Sequence, residues 1–414
     1  MRNAVSEREK FIWNMMGSIA NAFSTLVLSI FINRILGVES GGIFSFAYAN
    51  AQLMLTIGQF EVRPYQSTDI KEKYGFNTYF SLRLVSCFSM ILVTLFYVIL
   101  NSFSFEKGLV VFAFAAFKMV EAFADVLAGR FQQKDRIDLS GKLFFIRVTL
   151  STIVFIVVIK FSQSLVIGAV SMFLTSFLLL VFFDSRFIFE DDKNKIAIDY
   201  RNIFSLAIEV LPLFAGAFMM MYISNAPKYA INDKFNDEFQ NIYNILFMPA
   251  FVINLFSVFM FRPMLTKMAG YWNDGKLKKL ARIILLMYLY ILIFTGAAVF
   301  AAYIVGIPAL EIMYKIDLRE YKNHLMMVMV VGGISALMVF SSNVITVMRQ
   351  QRYVIIAYLL TAVFSLTAVR KMVGKYAIKG AIMSYGISVL MIVVVFDFII
   401  IIQGLRRRQG KDVG

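Results

Sequence analysis

Lys118, Glu121 and Asp125 recur at i, i+3 and i+7 in the stretch "FKMVEAFADVLAGR", so a helix there carries all three on one face. A cation and two carboxylates at that spacing can pair with one another, bind phosphate or sugar, or carry a proton or sodium ion. Further charges interrupt apolar stretches at Arg83, Arg147, Glu209 and Asp397. Arg34 in "FINRILG" and Lys228 in "ISNAPKYAI" close two apolar runs. A charge at the centre of a membrane helix costs at least about 2.5–3.5 kcal/mol on the insertion scale, so each needs a partner or a wet cavity. Two readings stay open. One is a structural ion-pair network tethering neighbouring helices, with Arg83 and Arg147 as partners of the carboxylates. The other is a hydrated cavity in which cations receive an anionic substrate and carboxylates carry protons or sodium. Arg83, near the start of its span, is also placed to snorkel to the membrane surface. Glu209 precedes Pro212, where proline frees a carbonyl and can open a kink. Asp397 in "VVVFDFIIII" lacks a local cation.

The elements that must position these groups follow from composition. The chain of 414 residues is 60% hydrophobic and 16% charged, with a mean hydropathy of +0.74. Soluble domains carry about 25% charged residues. Apolar stretches of about 20 residues recur throughout, the length that crosses a bilayer as helix. Spans are predicted at 11–32, 41–60, 79–100, 109–128, 143–160, 164–183, 203–223, 240–261, 283–304, 324–347, 353–370 and 378–402. The fold class is thus an all-α polytopic membrane protein of about twelve helices in two six-helix bundles. The predicted domains are an N-lobe over 1–183, a cytoplasmic linker over 184–202 and a C-lobe over 203–414 with a short cytoplasmic tail. The first span reads as an uncleaved signal anchor.

Basic residues concentrate in the loops on the side of the N-terminus, which puts both termini in the cytoplasm. The basic loop "VRKMVGKYAIKG" runs against that pattern. The net charge of +15 suits loops beside an anionic leaflet and calls for no nucleic acid. Cys87 and His324 are single, so there is no internal disulfide and no Cys/His metal set. No metal or cofactor is expected. The segment 64–75 reads as an amphipathic surface helix or a loop. The "GG" pairs at 41–42 and 332–333 read as sites of close helix packing.

A repeat supports the two-lobe arrangement. The Arg63-Pro64 and Arg262-Pro263 pairs each follow the second span of a six-span half, and Arg34 and Lys228 occupy similar places after the first. Parallel halves related by an axis along the membrane normal are one transporter plan.

With "NRILG", "GRFQQKDRIDLSGKLFFIRVTLSTIVF" (129–155), "NAPKYAI" and "FRP", the whole chain resembles Wzx-type polysaccharide flippases of the multidrug/oligosaccharidyl-lipid/polysaccharide (MOP) exporter superfamily. The resemblance implies a MATE-like fold around a central cationic cavity. It also implies translocation of undecaprenyl-diphosphate-linked oligosaccharide across a bacterial plasma membrane by alternating access. That role serves O-antigen, capsule or exopolysaccharide synthesis, with proton or sodium coupling in some members. The substrate-binding positions it implies here are Arg34, Lys118, Arg147 and Lys228, with Arg83 as an addition. The coupling positions are Glu121, Asp125, Glu209 and Asp397. Its implied partners are the lipid-linked oligosaccharide, the bilayer, and the polymerase and chain-length regulator of polysaccharide assembly. Lacking the two-helix extension of lipid II flippases, the chain resembles the capsule or O-antigen type.

Two other classes compete. A drug or cation antiporter of the same fold needs an acidic cavity, and here the signs are mixed. A membrane enzyme of polysaccharide assembly needs a large external loop or a catalytic histidine within a helix. The external loops are short, and His324 sits at a helix start without a partner, so a transporter rather than an enzyme is expected.

Overall fold

The computed structural model describes residues 6–69, 72–187, 199–261 and 264–408, with backbone alone at 255, 258 and 259. Among these residues every regular element is a helix. The chain divides into two units, Met1–Met221 and Tyr222–Gly414. The division falls inside a helix, whereas the sequence places the boundary in the linker 184–202. Residues 188–198 of that linker, Asp191 and Asp192 included, lie outside the described residues, as do Arg262 and Pro263 of the second Arg-Pro pair.

The first unit contains α1 (Glu7–Leu36), α2 (Val38–Gln59), the short α3 (Val62–Thr68), α4 (Phe76–Leu100), α5 (Phe105–Gln133), α6 (Ile137–Ser162) and α7 (Leu165–Phe182). It also takes the first part of α8 (Tyr200–Lys234). Serines start three of these helices. Ser6, Ser104 and Ser164 each accept from the backbone N–H three residues on, which satisfies an orphan donor of the first turn. Gly37, at φ +89°, turns α1 into α2. α1 and α6 cross at Gly17 and Gly141. A Cβ on Gly141 would lie 2.5 Å from the carbonyl carbon of Trp13, so only glycine permits that approach. Phe44, Tyr48, Phe114 and Phe155 stack edge-on or tilted at the centre of the unit.

The second unit continues α8 and adds α9 (Asp237–Phe261), α10 (Met264–Asn273), α11 (Leu277–Ala301), α12 (Ile307–Tyr314), α13 (Lys322–Val347) and α14 (Val354–Arg408). A π-helical stretch, Ala302–Gly306, joins α11 to α12. The glycine pair 332–333 does bring helices together. A Cβ on Gly332 would lie 2.9 Å from Ala250 Cβ, and one on Gly333 2.4 Å from Thr295. α14 is two helices joined at Ala377, which has φ 48° and ψ −131°.

Eight of the described helical stretches are long and apolar enough to cross a membrane, the last of them containing both arms of α14. With α2, α5 and α9 and the second arm of α14, the long helices number about twelve, as predicted. The protein is a multi-pass membrane protein. Several boundaries differ from expectation. The seventh span does not end at 223 but continues through Pro227 to Lys234. The basic loop "VRKMVGKYAIKG" is helical apart from the break at Ala377. Part of the segment 64–75 is the short helix α3.

Candidate functional site

The first unit gathers most of the charges expected from sequence. α5 presents Lys118, Glu121 and Asp125 along one side, as their spacing requires. Lys118 is 1% exposed. Its Nζ lies 2.6 Å from Glu121 Oε2 and 4.9 Å from the centre of the Tyr48 ring, so a carboxylate and a π-face share the charge. Asp125 holds two arginines. Arg83 of α4 donates to Oδ2 at 3.0 Å, and Arg63 of α3 donates to Oδ1 at 3.3 Å.

Arg83 also donates to the Gly58 carbonyl at 2.6 Å, and Ser86 donates to the same oxygen at 2.7 Å. That carbonyl lies in the last turn of α2, where acceptors have no helical partner. Phe60 and Glu61 end the helix there in the left-handed region, with φ 45° and 50°. The same turn delivers Arg63 to Asp125. Arg83 is completely buried and does not snorkel, because Asp125 and the end of α2 take its two terminal nitrogens inside the bundle.

Arg147 of α6 is also buried, but its partner is Asp184, in the 3-10 turn Asp184–Phe187. The expected pairing of both arginines with the α5 carboxylates is therefore half right. Arg83 makes it, and Arg147 pairs elsewhere. Between these groups lies a cavity of about 290 Å³, lined by Arg63, Glu121, Asp125, Arg147 and Asp184, with Asn14 and Ser18 of α1. Its walls mix these polar groups with Ala124, Phe131, Leu143 and Phe144, and it has room for several waters.

Glu209 stands apart from this cavity. It accepts from Lys73 Nζ at 2.6 Å, from Tyr74 at 2.9 Å and from the Tyr65 hydroxyl. These bonds tie α8 to α3 and the segment after it. Hydrogen bonding to Glu209, with burial second, pushes the Tyr65 phenol up to about 12. The same carboxylate raises the Lys73 ammonium above its usual range. α8 runs on through Pro212 without a break in its helical assignment. Arg34 is exposed in the last turn of α1.

In the second unit, Lys228 lies within α8, a turn and a half before its end, and donates to Asn244 Oδ1 of α9 at 3.2 Å. Among the described residues it has no carboxylate partner. The amides of Asn225, Gln240, Asn241 and Asn244 on these two helices are all buried. Asp397 is held by hydroxyls rather than cations. Ser341 donates to it at 3.0 Å, and Tyr288 donates as well. No group of three His, Cys, Asp or Glu side chains among the described residues is placed to hold a metal.

Sequence reasoning missed three members of these sites. Arg63 served there only as an orientation and repeat marker. Asp184 falls in the predicted linker 184–202, although "FFDSRF" puts an acid straight after an apolar span. Tyr288 gave no signal among 19 tyrosines.

No protein-family model matches the chain and no curated protein sequence matches it. Solved structures do match over its full length. One is an inward-facing multidrug resistance MATE family transporter of the MOP superfamily. It aligns at TM-score 0.67 and 12% identity over 97% of this chain and 98% of that one. A MOP superfamily transporter from Pyrococcus furiosus, described as having a binding pocket of reverse polarity, aligns at 0.61 and 12% identity over 96% and 95%. An outward-facing MATE family transporter aligns at 0.58 and 14% identity over 98% and 96%. The chain shares the fold of these structures. Within this fold the first unit holds a self-paired charge network around a cavity with room for several waters. The second holds Lys228 against Asn244 and Asp397 among hydroxyls.

Proposed function

We propose that this protein is a transporter that moves an anionic lipid-linked oligosaccharide, an undecaprenyl-diphosphate repeat unit, across a bacterial plasma membrane. In this reading it works by alternating access with both termini cytoplasmic, and it supplies O-antigen, capsule or exopolysaccharide assembly. The observation that carries the proposal is the setting of Lys228. A partly buried ammonium that meets one amide oxygen, with no carboxylate partner among the described residues, is incompletely compensated, and an anion completes it. A diphosphate carries roughly two negative charges and cannot cross hydrocarbon bare. Lysine meets it as a point charge, and neighbouring amides suit sugar hydroxyls. Arg34, exposed at the end of α1, is a second contact. Lys118, Arg83 and Arg147 are each paired with a carboxylate, so they take part only when a pair opens. Glu121, Asp125 and Asp397 are then the groups for proton or sodium coupling, while Glu209 is engaged in tethering α3 to α8.

The test is complementation in a strain deleted for the gene. Surface polysaccharide and cytoplasmic-side lipid-linked units are scored at matched protein levels. Loss of polymer with trapped units, rescued by the parent chain and by Lys228→Arg but not by Lys228→Ala, supports the proposal. Normal polysaccharide with altered drug sensitivity sinks it.

One observation favours a second reading, a MATE-like drug or cation antiporter. The cavity of the first unit is lined by three carboxylates and two arginines, a balance that suits a cationic substrate or a coupling ion. The drug-sensitivity arm of the same experiment reads this out.

A further inference from the structure

The second unit carries a groove that the transport reading does not use. It is an open cavity of about 1010 Å³ between the start of α11, the C-terminal end of α14 and Met348. Two chemistries meet in it. One wall is apolar, and its Leu285, Ile401 and Leu405 are each more than half exposed. The mouth is basic, with Lys278, Lys279, Arg407 and Arg408. Among its described lining residues none is acidic.

Arg407 is fixed in place. Its guanidinium lies 4.4 Å from the centre of the buried Trp272 ring and donates to the Asn273 carbonyl at 3.1 Å. Lys278 and Lys279 occupy the first turn of α11, which contains no acid and whose N-cap, Lys276, makes no side-chain cap bond. The helix dipole disfavours cations there, so an anion at the mouth offsets the lysine charges. Gly404 opens the floor, since a Cβ built on it meets nothing within 4 Å.

We propose that this groove binds one anionic phospholipid of the surrounding bilayer. Its phosphate sits against Lys278, Lys279 and Arg408, and an acyl chain runs along Leu285, Ile401 and Leu405. The apolar wall separates this ligand from free phosphate, which has no use for it, and the basic mouth separates it from a zwitterionic lipid. Basic pockets between membrane helices take acidic headgroups on the same grounds.

Trp272 makes the proposal measurable. The full chain carrying Trp13→Phe has Trp272 as its single tryptophan. It is placed in phosphatidylcholine vesicles containing brominated phosphatidylglycerol or, at equal mole fraction, brominated phosphatidylcholine. The expected result is stronger quenching by the anionic lipid. Each of Lys278→Ala, Lys279→Ala and Arg408→Ala lowers that preference about fivefold, the equivalent of one basic contact near a membrane surface. Gly404→Leu fills the groove without changing charge and also abolishes the preference. Equal quenching by the two lipids overturns the proposal. A preference that survives Gly404→Leu overturns it too, because the basic residues then act as a diffuse surface. Relief of the quenching by inorganic phosphate assigns the site to free phosphate and overturns it as well.

Discussion

Arg83 Nη2 and Asp125 Oδ2 stand 3.0 Å apart, joining α4 to α5, and the arginine side chain has no exposed surface. Removing Asp125 leaves the buried Arg83 guanidinium with the Gly58 carbonyl alone, whereas Asp125 without Arg83 still has Arg63. Asp125→Ala is therefore expected to destabilise the first unit by about 3–5 kcal/mol. Replacing both, as Arg83→Met with Asp125→Leu, should restore much of that loss. Equilibrium unfolding in detergent measures both, and equal losses in the single and double variants would refute a pairing role.

The α1–α6 crossing admits no side chain at Gly141, where a Cβ would come within 2.6 Å of the Trp13 carbonyl oxygen. Gly141→Ala should push the two helices apart and cost about 1–3 kcal/mol, the usual range for overpacking. Gly270→Ala, where a Cβ meets nothing within 4 Å, should be close to neutral. A thermal melt of the two variants side by side checks the contrast.

The segment between α3 and α4 is held by carboxylates. Asp69 accepts from the backbone of Lys73 and Tyr74 and from the Tyr79 hydroxyl. Burial pulls its carboxyl up, but these bonds outweigh burial and hold it below the ordinary range. Glu72 is held low chiefly by its bond from Lys134, with burial opposing and Arg130 adding. A carboxyl lower in the folded state stabilises fully above its unfolded value of about 4 and loses that contribution as pH falls through its folded value. Amide exchange of residues 62–69 and 72–79, corrected for intrinsic rate, should therefore hold steady from pH 8 to 5 and rise below 4. Asp69→Asn should weaken protection already at pH 6.

Glu209 receives Lys73, Tyr65 and Tyr74 together. Glu209→Gln removes the charge and two of the strong acceptor positions, so α3 and the residues after it should be cleaved faster in limited proteolysis. If Glu209 is a tether, the variant should match the parent chain in the complementation assay of the proposed function. Failure there at normal protein level would return the residue to the coupling set.

The helical architecture was legible because apolar length and charge asymmetry are one-dimensional signals. The face of Lys118, Glu121 and Asp125 was legible for the same reason, since 3.6-residue periodicity is local. Partner choice was not. That Arg147 turns to Asp184 depends on where α7 ends in space, and a single sequence has no term for that. Lys228 was expected past a helix end because Pro227 usually stops a helix. Here the helix continues through it, tertiary packing having overridden local propensity.

The paired charges of α5 also bear on how the chain is made. Alone in a translocon, that segment pairs Lys118 with Glu121 on its own surface but leaves Asp125 unpaired, at roughly 2.5–3.5 kcal/mol on the insertion scale. The buried partner of Asp125, Arg83, lies on the helix synthesised just before it, so pairing calls for α4 to be nearby when α5 emerges. The two helices are then released into the bilayer as a couple, and a ribosome pause or linker insertion between residues 100 and 105 should strand α5 outside the membrane.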